Sequence, residues 1–325
     1  AGVSPATVSR ALRGMHHVNE RTRKKIIEAA QILDYPIRPD LLPPSASTRT
    51  NTIGVIAPFI SRWYFSQAIA GVEQALREAG MDLLLYNFAQ VDARQRVFQQ
   101  KKLVGKVDGL IVISLPPTEK EFEQILNLGI PVALLGVADE RCSSVSIDDV
   151  KGGEIATQYL IDKGHEEIAI MTGQQSIAYN FKVASQRREG FINTLVANGL
   201  KFNPEYEIVA DFDIHTAEVA MDEFLRRKKL PTAIFCESDE MAFGVLRALS
   251  KKGLRVPEDI SVIGYDDHDF ATISSLTTIS QPVQFLGQLA ASQIMAKIEK
   301  PGTANNQMKV PVSLSIRNSV RDLNG

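Results

Sequence analysis

The sequence predicts an α/β protein: two doubly wound parallel-sheet lobes preceded by a small all-α helix-turn-helix head. Three observations carry that reading. From Thr52 onward, strand-length apolar runs alternate with amphipathic helical stretches, and continuous apolar runs belong to strands covered on both faces. About ten such runs are many for one open sheet, so two lobes with a cleft between them fit better. The opening residues are basic and helical in pattern, and a proline-rich stretch separates them from the rest.

The elements follow in order. Gly2 can take the angles of a sharp turn. Ser4 is a good N-cap, and Pro5 at the first helical position has no N–H to leave unpaired. Val8, Ala11 and Leu12 form one apolar stripe, with Thr7, Arg10 and Arg13 off it and Ser9 beside them. This reads as the second half of a helix-turn-helix, the element that enters a DNA major groove, against the blander reading of a capped surface helix. Asn19 caps a further helix, Glu20 to Leu33, with Ile26, Ala29, Ala30 and Leu33 on one face. Residues 35–50 hold Pro36, Pro39, Pro43 and Pro44 and read as a linker.

Strands are expected at Ile53–Ala57, Asp82–Tyr86, Gly109–Ile113, Val132–Leu135, Val145–Ile147, Ile168–Met171, Ile208–Ala210, Ala233–Cys236, Ser261–Gly264 and Thr277–Ile279. Helices between them include Ser66–Ala79, Asp92–Val104, Lys151–Lys163, Gln186–Asn198, Thr216–Arg227 and Glu240–Lys252. Lys309–Val320 reads as a final extended crossing.

The chain has 325 residues and a net charge of −2, which alone argues against a nucleic-acid binder. The distribution argues for one. Residues 1–50 hold eight Lys and Arg against four Asp and Glu, net +4, leaving −6 for the remainder. A basic head on an acidic body suits a protein whose head alone touches phosphate. The sequence opens directly on the turn, so a preceding helix is expected upstream of Ala1. No membrane span or signal peptide is visible, and Cys142 and Cys236 stand apart without a metal-binding spacing, which predicts reduced thiols in a cytoplasmic protein.

There is no P-loop, no dinucleotide fingerprint after a strand and no nucleophile elbow. His165-Glu166-Glu167 lacks the second histidine of a zinc-protease motif, and Asp266-Asp267-His268-Asp269 reads as the polar rim of a cleft before it reads as a metal site. Neither a metal nor a cofactor is expected, nor an enzyme. A solute-binding receptor built from the same lobes is the leading rival to a DNA-binding regulator, and the +4 head disfavours it.

At this point the residues resemble the lactose/galactose-repressor (LacI/GalR) family. The match lies in Gly2-Val3-Ser4-Pro5-Ala6-Thr7-Val8-Ser9-Arg10-Ala11-Leu12, Thr50-Asn51-Thr52-Ile53-Gly54-Val55-Ile56 and Lys163-Gly164-His165. It continues through Ser238-Asp239-Glu240-Met241-Ala242, the run from Val256 to Asp266, and Leu276-Thr277-Thr278-Ile279-Ser280-Gln281-Pro282. The resemblance implies a transcription repressor with a helical DNA head at 1–34 and a hinge at 35–50. The two-lobed core would be like periplasmic sugar-binding proteins, one lobe from 51–147 plus 281–311 and the other from 148–280 plus 312–325. It implies a homodimer or tetramer, operator DNA as partner and a sugar-like effector.

Carried over, the resemblance puts Ser4, Pro5, Ala6, Thr7, Ser9 and Arg10 at the DNA surface. Arg10 is the candidate for a bidentate guanine contact, and Arg13 and His17 would meet phosphate. The hinge departs from the family pattern. Ala46 stands where the family places a minor-groove leucine wedge, and Pro43 and Pro44 interrupt the hinge helix, so Leu41 or Leu42 is the expected substitute, or the kink is weak. Effector contacts fall on Trp63, Tyr64, Phe65, Arg187, Phe212, Ser238, Asp266 and Gln281, with Trp63 favoured over its two neighbours and Arg188 expected to face solvent. Arg187 with Asp266 suggests a polyhydroxylated ligand; Arg187 without a carboxylate partner would equally suit an acidic one. Ser238 in place of the usual asparagine, and Gly136 in place of a polar acceptor, thin the usual sugar contacts.

Overall fold

The computed structural model describes residues 1–12, 18–33, 35, 49–87, 103, 105–174 and 181–325. The expected contacts Arg13, His17, Leu41, Leu42 and Ala46 lie outside them, as does nearly all of the helix expected over Asp92–Val104.

The head begins with α1 (Pro5–Leu12) and α2 (Glu20–Ile32). Ser4 caps α1 as its residue type dictates, its Oγ accepting from the Thr7 backbone N–H at 3.2 Å. Asn19 Oδ1 accepts from the Arg21 N–H at 2.9 Å at the start of α2. Ala11, Val18 and Ile26 form a small core with Val3, Val8 and Leu12 packed around it. One expectation fails here. Leu33 is 77% exposed and Ile27 is buried in its place, because α2 ends at Ile32 before the stripe reaches Leu33.

Two six-stranded sheets make the core of the molecule. The first contains β1 (Thr52–Ala57), β2 (Asp82–Asn87), β3 (Gly109–Ile113), β4 (Val132–Leu135), β5 (Ser143–Ser146) and β11 (Gln307–Lys309) in the order β11-β5-β4-β3-β1-β2. The second contains β6 (Ile168–Gly173), β7 (Glu207–Ala210), β8 (Ala233–Cys236), β9 (Ser261–Asp266), β10 (Thr277–Ser280) and β12 (Ser313–Ser315) in the order β12-β10-β9-β8-β6-β7. All pairs are parallel except β10 with β12. The late extended segment is thus two short strands, one for each sheet. β3, β4, β6, β8 and β9 are buried along their whole length, as parallel strands with helices on both faces must be.

The first sheet carries α3 (Trp63–Glu78), α4 (Glu119–Leu126) and α10 (Val283–Glu299). The second carries α5 (Asp149–Asp162), α6 (Val183–Ala197), α7 (Ile214–Phe224), α8 (Asp239–Lys251) and α9 (Asp269–Ile273). α4, α9 and α10 were not among the expected helices. α10 packs on α3 and on β3, β4 and β5, so it is apolar on more than one side and shows little periodicity. Gly71 and Gly287 allow α3 and α10 to touch: a Cβ on Gly71 would sit 1.9 Å from the Gln284 carbonyl oxygen, and one on Gly287 would sit 2.3 Å from that of Ala68.

The chain crosses between sheets three times, after β5, after β10 and between β11 and β12. Both sheets therefore turn their strand carboxyl ends toward the crossings, where open α/β sheets bind ligands.

Candidate functional site

Between the lobes lies a cleft enclosing about 770 Å³, its open mouth included. Its walls are the residues that follow strands. Tyr64 and Phe65 come after β1, Ser114 after β3, Gly136 after β4, Asp149 after β5, Phe212 after β7, Ser238 and Glu240 after β8 and Gln281 after β10; Asp266 closes β9. Arg187 reaches in from α6.

Arg187 is the centre of the floor. It is buried, with Nε donating to Asp149 Oδ1 at 2.9 Å and Nη1 donating to the Glu237 carbonyl oxygen. Asp266 Oδ1 lies 3.8 Å from Nη1, and the guanidinium stacks 3.5 Å over the Tyr265 ring. Burial opposes the charge, but Asp149, Tyr265 and Asp266 outweigh it and raise the guanidinium's pKa. Asp266 is also buried. Desolvation pushes its carboxyl up to about 7, against the downward pull of Arg187 and of the Gln281 amide, which donates to Oδ1. Its φ of 123° lies in the region that favours glycine, a strain found where a site holds a side chain in place. Gln281 Oε1 is buried without a partner.

Beneath this floor sit two more buried acids. Glu237 accepts from Thr172 Oγ1 and the Gly173 N–H, each at 2.9 Å, and burial pushes it up to about 8. Asp239 accepts from Thr278 Oγ1 at 2.7 Å and from the His268 N–H at 2.8 Å, and burial raises it too. On the opposite wall the Tyr64 hydroxyl accepts from Ser114 Oγ at 3.0 Å, and burial pushes the phenol up to about 12. Gly136 leaves room for that pair, since a Cβ there would lie 2.3 Å from Ser114 Oγ. Gly173 does the same for Phe212, whose ring would be 1.7 Å from an added Cβ.

Seven of the eight expected effector contacts line this cleft: Tyr64, Phe65, Arg187, Phe212, Ser238, Asp266 and Gln281. Ser238 does so as the cap of α8, its Oγ accepting from the Met241 N–H at 3.2 Å. Trp63 is placed elsewhere. Three consecutive residues at a helix start point about 100° apart, so the one triplet cannot all face the cleft; Trp63 lies outside it, stacked on His268. Arg188 is not simply solvated but pairs with Glu207 through Nε at 2.7 Å and Nη2 at 2.8 Å. The sequence reading missed Asp149 and Glu240. Asp148, beside Asp149, caps α5 and pairs with Lys309. The signal was the adjacent pair of acids after β5, of which one caps and the other turns inward. In the Asp266–Asp269 run, Asp267 pairs with Arg317 at 2.7 Å, and among the described residues no cluster of metal-ligating side chains forms.

At the head, Ser4, Pro5, Ala6 and Arg10 are exposed, and Thr7 and Ser9 are half-buried. Arg21, Lys24 and Lys25 on α2 are also exposed.

A basic helical reader joined to a two-lobed core with a polar, enclosed cleft defines an effector-controlled DNA-binding regulator. The comparisons say which family. The profile of bacterial regulatory proteins of the lacI family matches residues 1–36, and that of the periplasmic binding protein-like domain matches residues 157–320. The probable HTH-type transcriptional repressor ExuR of Bacillus subtilis (strain 168) is 33% identical, over 99% of this chain and 96% of the relative. Among solved structures, the transcriptional regulator CelR–cellobiose complex has a TM-score of 0.75 at 29% identity, over 98% of this chain and 96% of that one. The lac repressor dimer bound to operator and the anti-inducer ONPF has a TM-score of 0.74 at 26% identity, with the same coverage. The chain belongs to the lacI family. It is a sequence-specific DNA-binding transcriptional repressor under small-molecule control, not an enzyme.

Proposed function

We propose that the cleft binds a neutral polyhydroxylated effector, a sugar or a close derivative, and that Arg187, Asp149, Asp266 and Gln281 hold its hydroxyls while Tyr64, Phe65 and Phe212 pack on its carbon faces. One observation carries this reading: the floor guanidinium, Arg187, is already flanked by two acids, Asp149 and Asp266. Lining the cleft are Arg62 and Arg187 against Asp149, Glu240 and Asp266, so a free carboxylate or phosphate would enter an acid-rich site, whereas hydroxyls both donate to the acids and accept from Arg187. The cellobiose held by the CelR neighbour supports the same class of ligand.

In this reading Ser4, Pro5, Ala6, Thr7, Ser9 and Arg10 face operator DNA, with Arg10 on a base edge. The lobes comprise 51–147 plus 281–311 and 148–280 plus 312–325. Two copies pair to present two heads, in line with the dimeric lac repressor neighbour; exposed Phe270 and Ile273 on α9 offer apolar surface for pairing. The protein works in the cytoplasm, where operator DNA is.

A thermal-shift screen of neutral sugars, uronates and sugar phosphates on the wild type and Arg187→Ala tests this. A ligand at 100 times its Kd stabilises by about 2.7 kcal/mol. The expected outcome is a raised melting temperature with one or more neutral sugars, lost in Arg187→Ala. Stabilisation confined to the anionic compounds would refute the ligand class.

A further inference from the structure

The N-terminus of α3 meets the other lobe. Its N-cap residue, Arg62, supplies no side-chain hydrogen bond to the helix. Two contacts cross from this end of the helix. The Trp63 indole stacks on His268 with ring centroids 5.0 Å apart, and its Nε1 donates to Asp269 Oδ2 at 3.2 Å. Arg62 Nη2 lies 3.5 Å from Asp211 Oδ2, with its guanidinium braced 4.1 Å over the Phe59 ring. All three partners follow strands of the second sheet, while α3 packs on the first.

We propose that Arg62 and Trp63, with Asp211, His268 and Asp269, form an inter-lobe latch that holds the cleft closed without ligand. These partners meet only while the lobes are together. Parting them returns the indole N–H, the Asp269 carboxylate and the Arg62–Asp211 pair to water, and separates the stacked rings. The latch thus biases the open–closed equilibrium that a ligand must share. Only that last consequence rests on the cleft being the effector site.

The test uses the ligand-free full chain, so its result is independent of which compound binds. Trp63 is the only tryptophan, and both native cysteines are buried, leaving introduced cysteines free for labelling. Spin labels go on exposed Lys120→Cys in the first lobe and exposed Lys201→Cys in the second. The latch predicts that Asp211→Ala with Asp269→Ala lengthens the inter-label distances and raises acrylamide quenching of Trp63 roughly twofold, while the far-ultraviolet circular dichroism stays unchanged. Unaltered distances and quenching in the folded double variant would overturn it. If the double variant does not fold, Asp269→Ala alone carries the test: increased quenching is expected, and no increase would overturn the latch.

Discussion

At the scale of single residues, the cleft depends on charge held against its solvation cost. Asp266, raised to about 7 mainly by burial, keeps its proton in the folded state where an unfolded aspartate, at 3.8, has lost it. Folding therefore binds protons between those values, and this group's contribution to stability falls as pH rises from about 4 to about 7. A ligand hydroxyl donating to Asp266 favours the ionised form. Sugar affinity should then tighten as pH rises through about 7, and Asp266→Asn should flatten that dependence; calorimetry across the range reads both. Gly173→Ala should displace the Phe212 ring, weaken ligand binding and cost about 1–3 kcal/mol of stability in denaturant melts. Much of this site was legible through the family resemblance, which carried Asp266, Gln281, Phe212 and Ser238 over to it; their places at or just after strand ends, where such sheets bind ligands, agree with it. Trp63 was misjudged because the sequence does not fix the helical phase of Trp63-Tyr64-Phe65. Asp149 was missed because Asp148 beside it has equal chemistry, and only the register of α5 separates the cap from the inward residue.

At the scale of elements, regular alternation was easy to read and contact between helices was not. β3, β4 and β8 fall where the apolar runs put them, since a strand buried on both faces has no other composition. α10 escaped notice because α3 on one side and the sheet on another bury much of its surface, leaving only a narrow polar stripe at Gln284, Gln288 and Ser292. The α3–α10 contact has its own test. Gly71→Ala or Gly287→Ala would drive a methyl into backbone that cannot yield, so each should destabilise by about 1–3 kcal/mol or more, measured as a lowered urea midpoint. A second test concerns the C-terminal segment. His165 is buried, with Nδ1 bonded to Thr232 Oγ1 at 2.9 Å and Nε2 to the Arg321 carbonyl oxygen at 3.1 Å. Burial lowers its pKa below the ordinary 6.5, so the unfolded chain takes up the proton first. Stability should be lost as pH falls through about 6.5, and a His165→Asn variant should lose this pH dependence in urea melts at about pH 7.5 and about pH 5.5.

At the scale of the whole molecule, a +4 head on a −6 body divides the labour. The head's exposed cations displace counterions from DNA, so operator affinity should fall steeply and log-linearly with salt, with Arg10→Ala reducing sequence preference more than Lys24→Ala does. In the proposed function the ligand acts on the core, where biasing two arrangements of the lobes would hold the heads differently. Both halves were visible in one chain because their compositions differ so sharply; most of the expected hinge, 35–50, lies outside the described residues. The most direct measurement selects a duplex from a random pool with the full protein, then titrates it with and without neutral sugars, for the wild type and Arg187→Ala. The expected result is a near-palindromic duplex whose affinity at least one sugar changes by about 5–150-fold in the wild type and leaves unchanged in Arg187→Ala. Equal binding of every duplex, with or without sugar, would contradict it.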